Sequence, residues 1–188
     1  FAASSVVLRS RHGFTDTQYG SIFVPQMALA ALGALGSGGL ARVLSLRAML
    51  ALSFLGLALS QAALFSSYFL APGFAFAAVV AGTSLMGFGS GLSAAPLNTF
   101  PQTLFPERRE AAVVGMHAAM GIGLAAGPLL VSGAIAAGMW LAFPAALLLA
   151  CLVLLGMTMR TRFPTVIVPA VTGTGPISSP GFWLFAVL

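Results

Sequence analysis

The chain has 188 residues, of which 59% are hydrophobic and only 6% are charged, against roughly 25% charged residues in an ordinary soluble domain, so a water-soluble fold is excluded and an all-α transmembrane fold is expected. Its positive charges are arginines that stand in pairs, without the basic runs and interleaved aromatic residues of a nucleic-acid-binding protein. With no lysine, three acidic residues, two histidines and one cysteine, no P-loop, metal centre or other enzyme motif can be assembled, and no cofactor is expected.

The charge-free stretches of the sequence predict the membrane crossings. One crossing needs about 20 apolar residues, so these stretches hold five complete helices, with turns at the breaker residues of 70–73 and 137–140. We predict a remnant of a first helix at 1–8 and transmembrane helices at 20–40, 48–69, 74–100, 111–136 and 141–159. Together they form a helical bundle over residues 1–159, in which every charged residue falls in a loop.

The composition changes after Arg162. Residues 160–180 are rich in proline, glycine, serine and threonine, which predicts a linker, and residues 181–188 predict the start of a seventh helix with Trp183 at the membrane interface. Because the chain begins and ends inside apolar stretches, we expect it to be truncated at both ends and completed by a carboxyl-terminal half of the same protein.

The arginines predict the orientation. An even number of crossings returns the chain to the same side, so loops 41–47 and 104–110 and the linker 160–180 share one face, whose six arginines stand against Arg9 and Arg11 on the other. Positively charged loops are typical of the cytoplasmic side. We therefore expect a multi-pass protein of the inner or plasma membrane, surrounded by the lipid bilayer, with these three segments in the cytoplasm.

This layout of six helices, an inner linker and a seventh helix resembles the amino-terminal half of a major facilitator superfamily (MFS) transporter. The loop after the helix at 20–40 is similar to that family's glycine, leucine, acidic and basic loop motif. Gly38, Leu40 and Arg47 fit the motif, whereas Arg42 occupies its acidic position and Ser45 its second glycine. The resemblance implies a gating or packing role for Gly38, Arg42 and Arg47, with the family's interhelical charge lock altered here.

Two further helices carry the resemblance. Gly123, Gly127 and Pro128 resemble the family's glycine-rich antiporter-type motif, whose spacing lets helix backbones touch while the proline bends the helix. In the helix at 74–100, the Gly-Phe-Gly-Ser-Gly segment at 87–91 fits the family's glycine pattern, while Thr83 stands where many proton-coupled members carry an arginine. That difference argues against proton coupling through this position.

The resemblance implies an MFS-type six-helix bundle, which is half of a 12-helix transporter and is built from inverted three-helix repeats. The implied activity is secondary active or facilitative transport of a small organic solute by alternating access. A non-transporting membrane scaffold subunit of a larger complex is the alternative, because polar residues are almost absent from the predicted crossings.

Polar side chains within the crossings are the candidate substrate-binding residues, because a polar group in hydrocarbon needs a partner or water. His117 either faces the solute pathway or bonds a neighbouring helix. Asn98 and Thr99 lie near the cytoplasmic end of the helix at 74–100, and Asn98 shares a face with Ser84. This face either contacts solute or holds helices together through Asn98. Gln26 completes the set and follows a proline that should kink its helix.

Overall fold

The computed structural model describes residues 4–164, and this part of the chain is helical, without a strand. Its helices are α1 Ser5–His12, α2 Asp16–Ser21, α3 Phe23–Leu40, α4 Leu46–Ser67, α5 Pro72–Leu92, α6 Ala94–Leu104, α7 Arg109–Ala136 and α8 Ala142–Arg160. A 3₁₀ turn over Pro106–Arg108 joins α6 to α7. Most of the predicted linker, from residue 165 on, and the predicted seventh helix at 181–188 lie outside the described residues.

Five segments are long and apolar enough to cross a membrane. They are Asp16–Leu40, Leu46–Ser67, Pro72–Leu104, Pro106–Ala136 and Ala142–Arg160. Each overlaps one of the five predicted crossings, so the expected all-α fold with membrane-spanning helices is confirmed at this level. The third and fourth segments are longer than predicted, at 33 and 31 residues, because α6 and the 3₁₀ turn extend the helical chain on both sides of Phe105.

Two prolines explain two interruptions in these segments. The helical chain breaks at Ile22, three residues before Pro25, and again at Ser93, three residues before Pro96. A proline ring clashes with the carbonyl four residues upstream and offers no N–H to it, so the helix restarts with each proline in its first turn. The predicted kink at Pro25 is therefore a break between α2 and α3 that precedes the proline.

Helix α5 lies at the centre of the packed part of the molecule, between α3 and α4, and α8 packs on α4. Glycines allow the close approach. A Cβ added to Gly87 would lie 2.1 Å from the Gln26 carbonyl oxygen of α3, and one added to Gly89 would lie 2.9 Å from the Ser53 carbonyl oxygen of α4. Because glycine has no Cβ, the backbones of these helices can approach each other this closely, as in other membrane helix pairs rich in small residues.

The packed helices have two distinct ends. At the arginine end, defined by Arg47 and Arg160, Phe100 packs in a cluster with the start of α4 and stacks on Phe163 with ring centroids 4.5 Å apart. At the opposite aromatic end, defined by Tyr68 and Trp140, the Arg11 guanidinium lies 4.7 Å from the centroid of the Tyr68 ring. The segments 42–47 and 160–162 therefore share one end and α1 lies at the other, as the parity of the crossings predicted.

The prediction that every charged residue falls in a loop is wrong. Arg9 and Arg11 belong to α1, Arg47 stands in the first turn of α4, and Arg160 is the last residue of α8. Three of these four lie in the last turn of a helix, where a cation interacts favourably with the carbonyl ends. A long arginine stem also lets a residue within a helix place its charge at the interface.

The predicted outer loop around residues 9–16 is likewise mostly helical. Gly13 ends α1 in the left-handed conformation, with φ of 68°, and Thr15 starts α2 with a capping box formed with Gln18. The connection between α1 and α2 is therefore short. An exposed ion pair links the two helices across it, with Arg9 Nη2 2.5 Å from Asp16 Oδ1. The local signals for helix ends, a glycine followed by a Thr-x-x-Gln pattern, are both present in the sequence.

Candidate functional site

Helix α6 has a polar face that its neighbours leave uncovered. We define the α6 polar face as Asn98, Thr99, Gln102 and Thr103, which recur at one-turn spacing along the helix. Asn98, Gln102 and Thr103 are exposed, whereas Pro96 and Phe100 on the other side are buried. The face lies in the last two turns of the candidate membrane-spanning segment Pro72–Leu104, next to Phe100 at the arginine end of the packed helices.

The hydrogen bonds of this face leave acceptor and donor capacity unused. The Asn98 amide nitrogen donates to the Ala94 carbonyl at 2.8 Å, and the Gln102 amide nitrogen donates to the Asn98 carbonyl at 2.7 Å. The hydroxyls of Thr99 and Thr103 donate to carbonyls of the preceding turn. Each amide thus keeps one N–H and its oxygen for another partner.

A cavity of about 380 Å³ lies beside the α6 polar face, where the 3₁₀ turn brings α7 back along α6. It is lined by Thr99, Gln102, Thr103, Pro106 and Arg109. A second cavity of about 340 Å³ shares Gln102 and Arg109 and continues along α7 past Glu110 to Val114. The two threonine hydroxyls, the Gln102 amide and the Arg109 guanidinium suit a polar ligand that carries hydrogen-bond acceptors, and Glu110 adds a carboxylate to the second cavity.

Helix α7 places His117 at an exposed position, two turns after Arg109 and so about 12 Å further along the helix. His117 lines neither of these two cavities. The structure therefore puts Thr99 beside the first cavity, whereas neither Asn98 nor His117 lines either of the two. The middle of α7, from His117 to Ala125, is exposed throughout.

The other two candidate binding residues lie elsewhere. Ser84 is half-buried in α5, and its hydroxyl donates to the Val80 carbonyl of its own helix at 2.7 Å. Gln26 lies at the seam between α3 and α5, and its Oε1 is buried without a hydrogen-bond partner among the described residues. Because Pro96 interrupts the helix at Ser93, Ser84 and Asn98 belong to different helices and have different surroundings.

The loop-motif residues divide into one that makes contacts across helices and two that do not. Arg47 donates from Nε to the Thr158 carbonyl at 3.0 Å and from Nη2 to the Met159 carbonyl. These carbonyls belong to the last turn of α8, where no N–H group of the same helix is available to bond them. Arg42 and Gly38 are exposed, and a Cβ added to Gly38 would meet nothing within 4 Å.

The glycine-rich motif of α7 makes no close contact with the described helices. A Cβ added to Gly123 or Gly127 would meet nothing within 4 Å. Helix α7 also continues through Pro128 without an interruption. The expected contact between helix backbones is therefore absent from the described part of the chain, and the glycines leave an uncovered surface.

Sequence reasoning missed Gln102, Thr103 and Arg109. The predicted helix ended at residue 100, which placed these three side chains in the following loop. The signal that could have found them is the repeat of polar residues one turn apart, from Asn98 to Gln102 and from Thr99 to Thr103. No group of three or more histidine, cysteine, aspartate or glutamate side chains that could hold a metal ion occurs within residues 4–164.

The five spanning helices define the class of the protein: it is a multi-pass, all-α membrane protein. Comparisons with protein-family models, with curated proteins and with solved structures found no match to this chain.

Proposed function

We propose that this chain forms part of a transporter of the MFS type, which moves a small organic solute across the membrane by secondary active or facilitative transport. The observation that carries this proposal is the α6 polar face. It is exposed at the arginine end of a membrane-spanning segment and borders the two cavities that share Gln102 and Arg109.

The α6 polar face needs hydrogen-bond partners beyond its own helix. Asn98 and Gln102 keep amide groups free after bonding their own helix, and these groups need water or a partner to bond. A water-filled pathway supplies that partner and gives a polar solute groups to bind. In this proposal Arg109 and the α6 polar face contact the solute, and His117 lines the same pathway further along α7.

The orientation and the rest of the pathway belong to the same proposal. The arginine end faces the cytoplasm, in keeping with the positive-inside rule, and the membrane is the inner or plasma membrane. A second helical bundle completes the pathway and covers the α6 polar face and α7.

A scaffold subunit is the second candidate, and the exposure of α7 favours it. The middle of this helix is exposed, so it presents a long surface to a partner protein. In that case the α6 polar face forms hydrogen bonds with the partner and excludes water.

Thiol accessibility separates the two candidates without knowledge of the solute. Cys151 is the single cysteine, so Cys151→Ala gives a background into which Asn98→Cys or Gln102→Cys is introduced. Val153→Cys is the matched control, because Val153 is exposed at 52% on α8 with apolar neighbours. We expect a charged, membrane-impermeant thiol reagent to modify positions 98 and 102 but not position 153, which faces lipid.

The scaffold predicts no modification at positions 98 and 102 while the complex is intact, and that result would overturn the transport proposal. A solute found by thermal stabilisation, which ligand binding to the folded state produces, should then slow the reaction at position 98. Asn98→Ala and His117→Ala should each reduce uptake of that solute while the amount of folded protein in the membrane stays unchanged.

A further inference from the structure

A separate cavity of about 420 Å³ lies at the arginine end of the packed helices. It lies between the start of α4 and the residues that follow α8, with Ser45, Arg47, Phe100, Arg162 and Phe163 among its lining residues. It shares no lining residue with the two cavities beside the α6 polar face.

The cavity carries positive charge without a counter-charge. Two guanidinium groups line it, and none of its described lining residues is acidic. Arg47 uses Nε and Nη2 to bond the end of α8, and an arginine has five N–H groups, so donors remain for a ligand. Arg162 is exposed, and within residues 4–164 its guanidinium forms no salt bridge. Paired guanidinium groups recognise phosphate oxygens through charge-assisted hydrogen bonds.

The opposite wall of the same cavity is apolar. The stacked rings of Phe100 and Phe163 have centroids 4.5 Å apart, and Leu46 beside them is buried. A ligand that satisfies both walls is an amphiphile with an anionic group and a hydrocarbon part. The cavity also lies at the ends of the spanning segments Leu46–Ser67 and Ala142–Arg160, at the depth of lipid headgroups.

We propose that this cavity binds the phosphate group of an anionic phospholipid between Arg47 and Arg162, with the start of an acyl chain against Phe100 and Phe163. The bound lipid connects the first turn of α4 to the segment after α8 and stabilises their packing. Arg47 holds α8 directly, and Arg162 serves the lipid alone.

The test is a lipid titration of the purified protein in detergent, with thermal unfolding as the readout. Phosphatidylglycerol should raise the unfolding midpoint, and phosphatidylcholine, with no net charge, should not. Arg162→Gln should weaken the apparent affinity for phosphatidylglycerol about tenfold, the effect of losing one charge-assisted hydrogen bond. Arg108→Gln is the matched control. This variant also removes one arginine charge, but Arg108 lines a different cavity.

Equal stabilisation by both lipids, or an equal loss of affinity in the two arginine variants, would overturn the proposal in favour of a general surface attraction. Phe163→Ala should weaken binding of phosphatidylglycerol and leave any effect of inorganic phosphate unchanged. If inorganic phosphate alone stabilises the protein through Arg162 and the lipid adds nothing, the ligand is free phosphate and the lipid assignment is wrong.

Discussion

Helices α5 and α7 are both long, apolar and rich in glycine, and they differ in what lies against those glycines. In α5, an added Cβ at Gly87 or Gly91 would lie 2.1 or 2.4 Å from a carbonyl oxygen of α3. In α7, an added Cβ at Gly115, Gly123 or Gly127 would meet nothing within 4 Å. One helix is the centre of the packed part, and the other has only Val131 fully buried.

The difference shows that a glycine pattern marks a surface suited to close approach but does not say whether a described helix occupies it. The contact at Gly87 depends on the backbone of α3 lying against it, and the sequence of α5 alone does not predict that. Under the proposed function, the uncovered surface of α7 belongs to the pathway or to a second bundle. The following predictions test whether the packed and exposed regions respond differently to matched changes.

The largest effect is expected for Gly87→Ala. Its Cβ would overlap the Gln26 backbone, so α3 and α5 must move apart, at a cost of about 3 kcal/mol in the free energy of unfolding. Gly123→Ala on α7 is the control, and it should be neutral or stabilise by about 0.5 kcal/mol through helix propensity. Unfolding in mixed detergent measures both. Equal destabilisation by the two changes would mean that α7 is as tightly packed as α5.

A smaller loss is expected for Arg47→Gln. The variant removes the donors to the Thr158 and Met159 carbonyls, and hydrogen bonds of a charged group contribute about 2 kcal/mol. Arg47→Lys keeps the charge but lacks the planar fork, so it should recover only part of the loss. Arg42→Gln is the control, because Arg42 is exposed in the turn that precedes α4. A loss of stability in the Arg42 variant as large as that of Arg47→Gln would assign the effect to net charge.

The fold was predictable to the extent that it depends on local signals. Apolar length and the gaps between charges gave the five crossings, and Gly13 and Thr15 carry recognisable signals for helix ends. The breaks at Ile22 and Ser93 follow from prolines visible in the sequence, but whether a proline kinks or interrupts a helix depends on its neighbours. In the fold, the Thr83 hydroxyl bonds the Ile22 carbonyl at the first break.

The candidate site was predictable only in part. Thr99 lines a cavity and Asn98 lies on the same face of α6, but Gln102 and Arg109, which also line the cavity, were assigned to a loop because helix ends are poorly fixed by sequence. Ser84 and Gln26 are polar residues that the helix packing places away from the cavities. Their surroundings depend on contacts between α3 and α5, and these contacts cannot be predicted from the sequence of either helix alone.

A third prediction compares one hydroxyl in each region. Thr83 is buried and donates to the Ile22 carbonyl at 2.7 Å, so Thr83→Val should cost about 1 kcal/mol while keeping the side-chain shape. Ser132→Ala on exposed α7 should change stability by less than about 0.5 kcal/mol. The same detergent unfolding assay applies. An unaffected Thr83→Val variant would show that the bond across the helix break adds nothing to the packed region.

The smallest expected effect tests whether the packed region extends to the aromatic end. Burial of His12 lowers its pKa, the neighbouring Arg11 charge lowers it further, and a hydrogen bond with the Ser67 backbone opposes both. Because the folded state has the lower pKa, the unfolded chain takes up the proton first as the pH falls below about 6.5. Stability should therefore be constant above that pH and decline below it.

His12→Gln removes this titration, so the decline of the unfolding midpoint between pH 7.5 and 5.5 should become shallower in the variant. Midpoints measured for the unchanged protein at the same pH values provide the reference profile. If His12→Gln declines as steeply as the unchanged protein, the surroundings of His12 do not lower its pKa, and the packed region does not extend to this residue at the aromatic end.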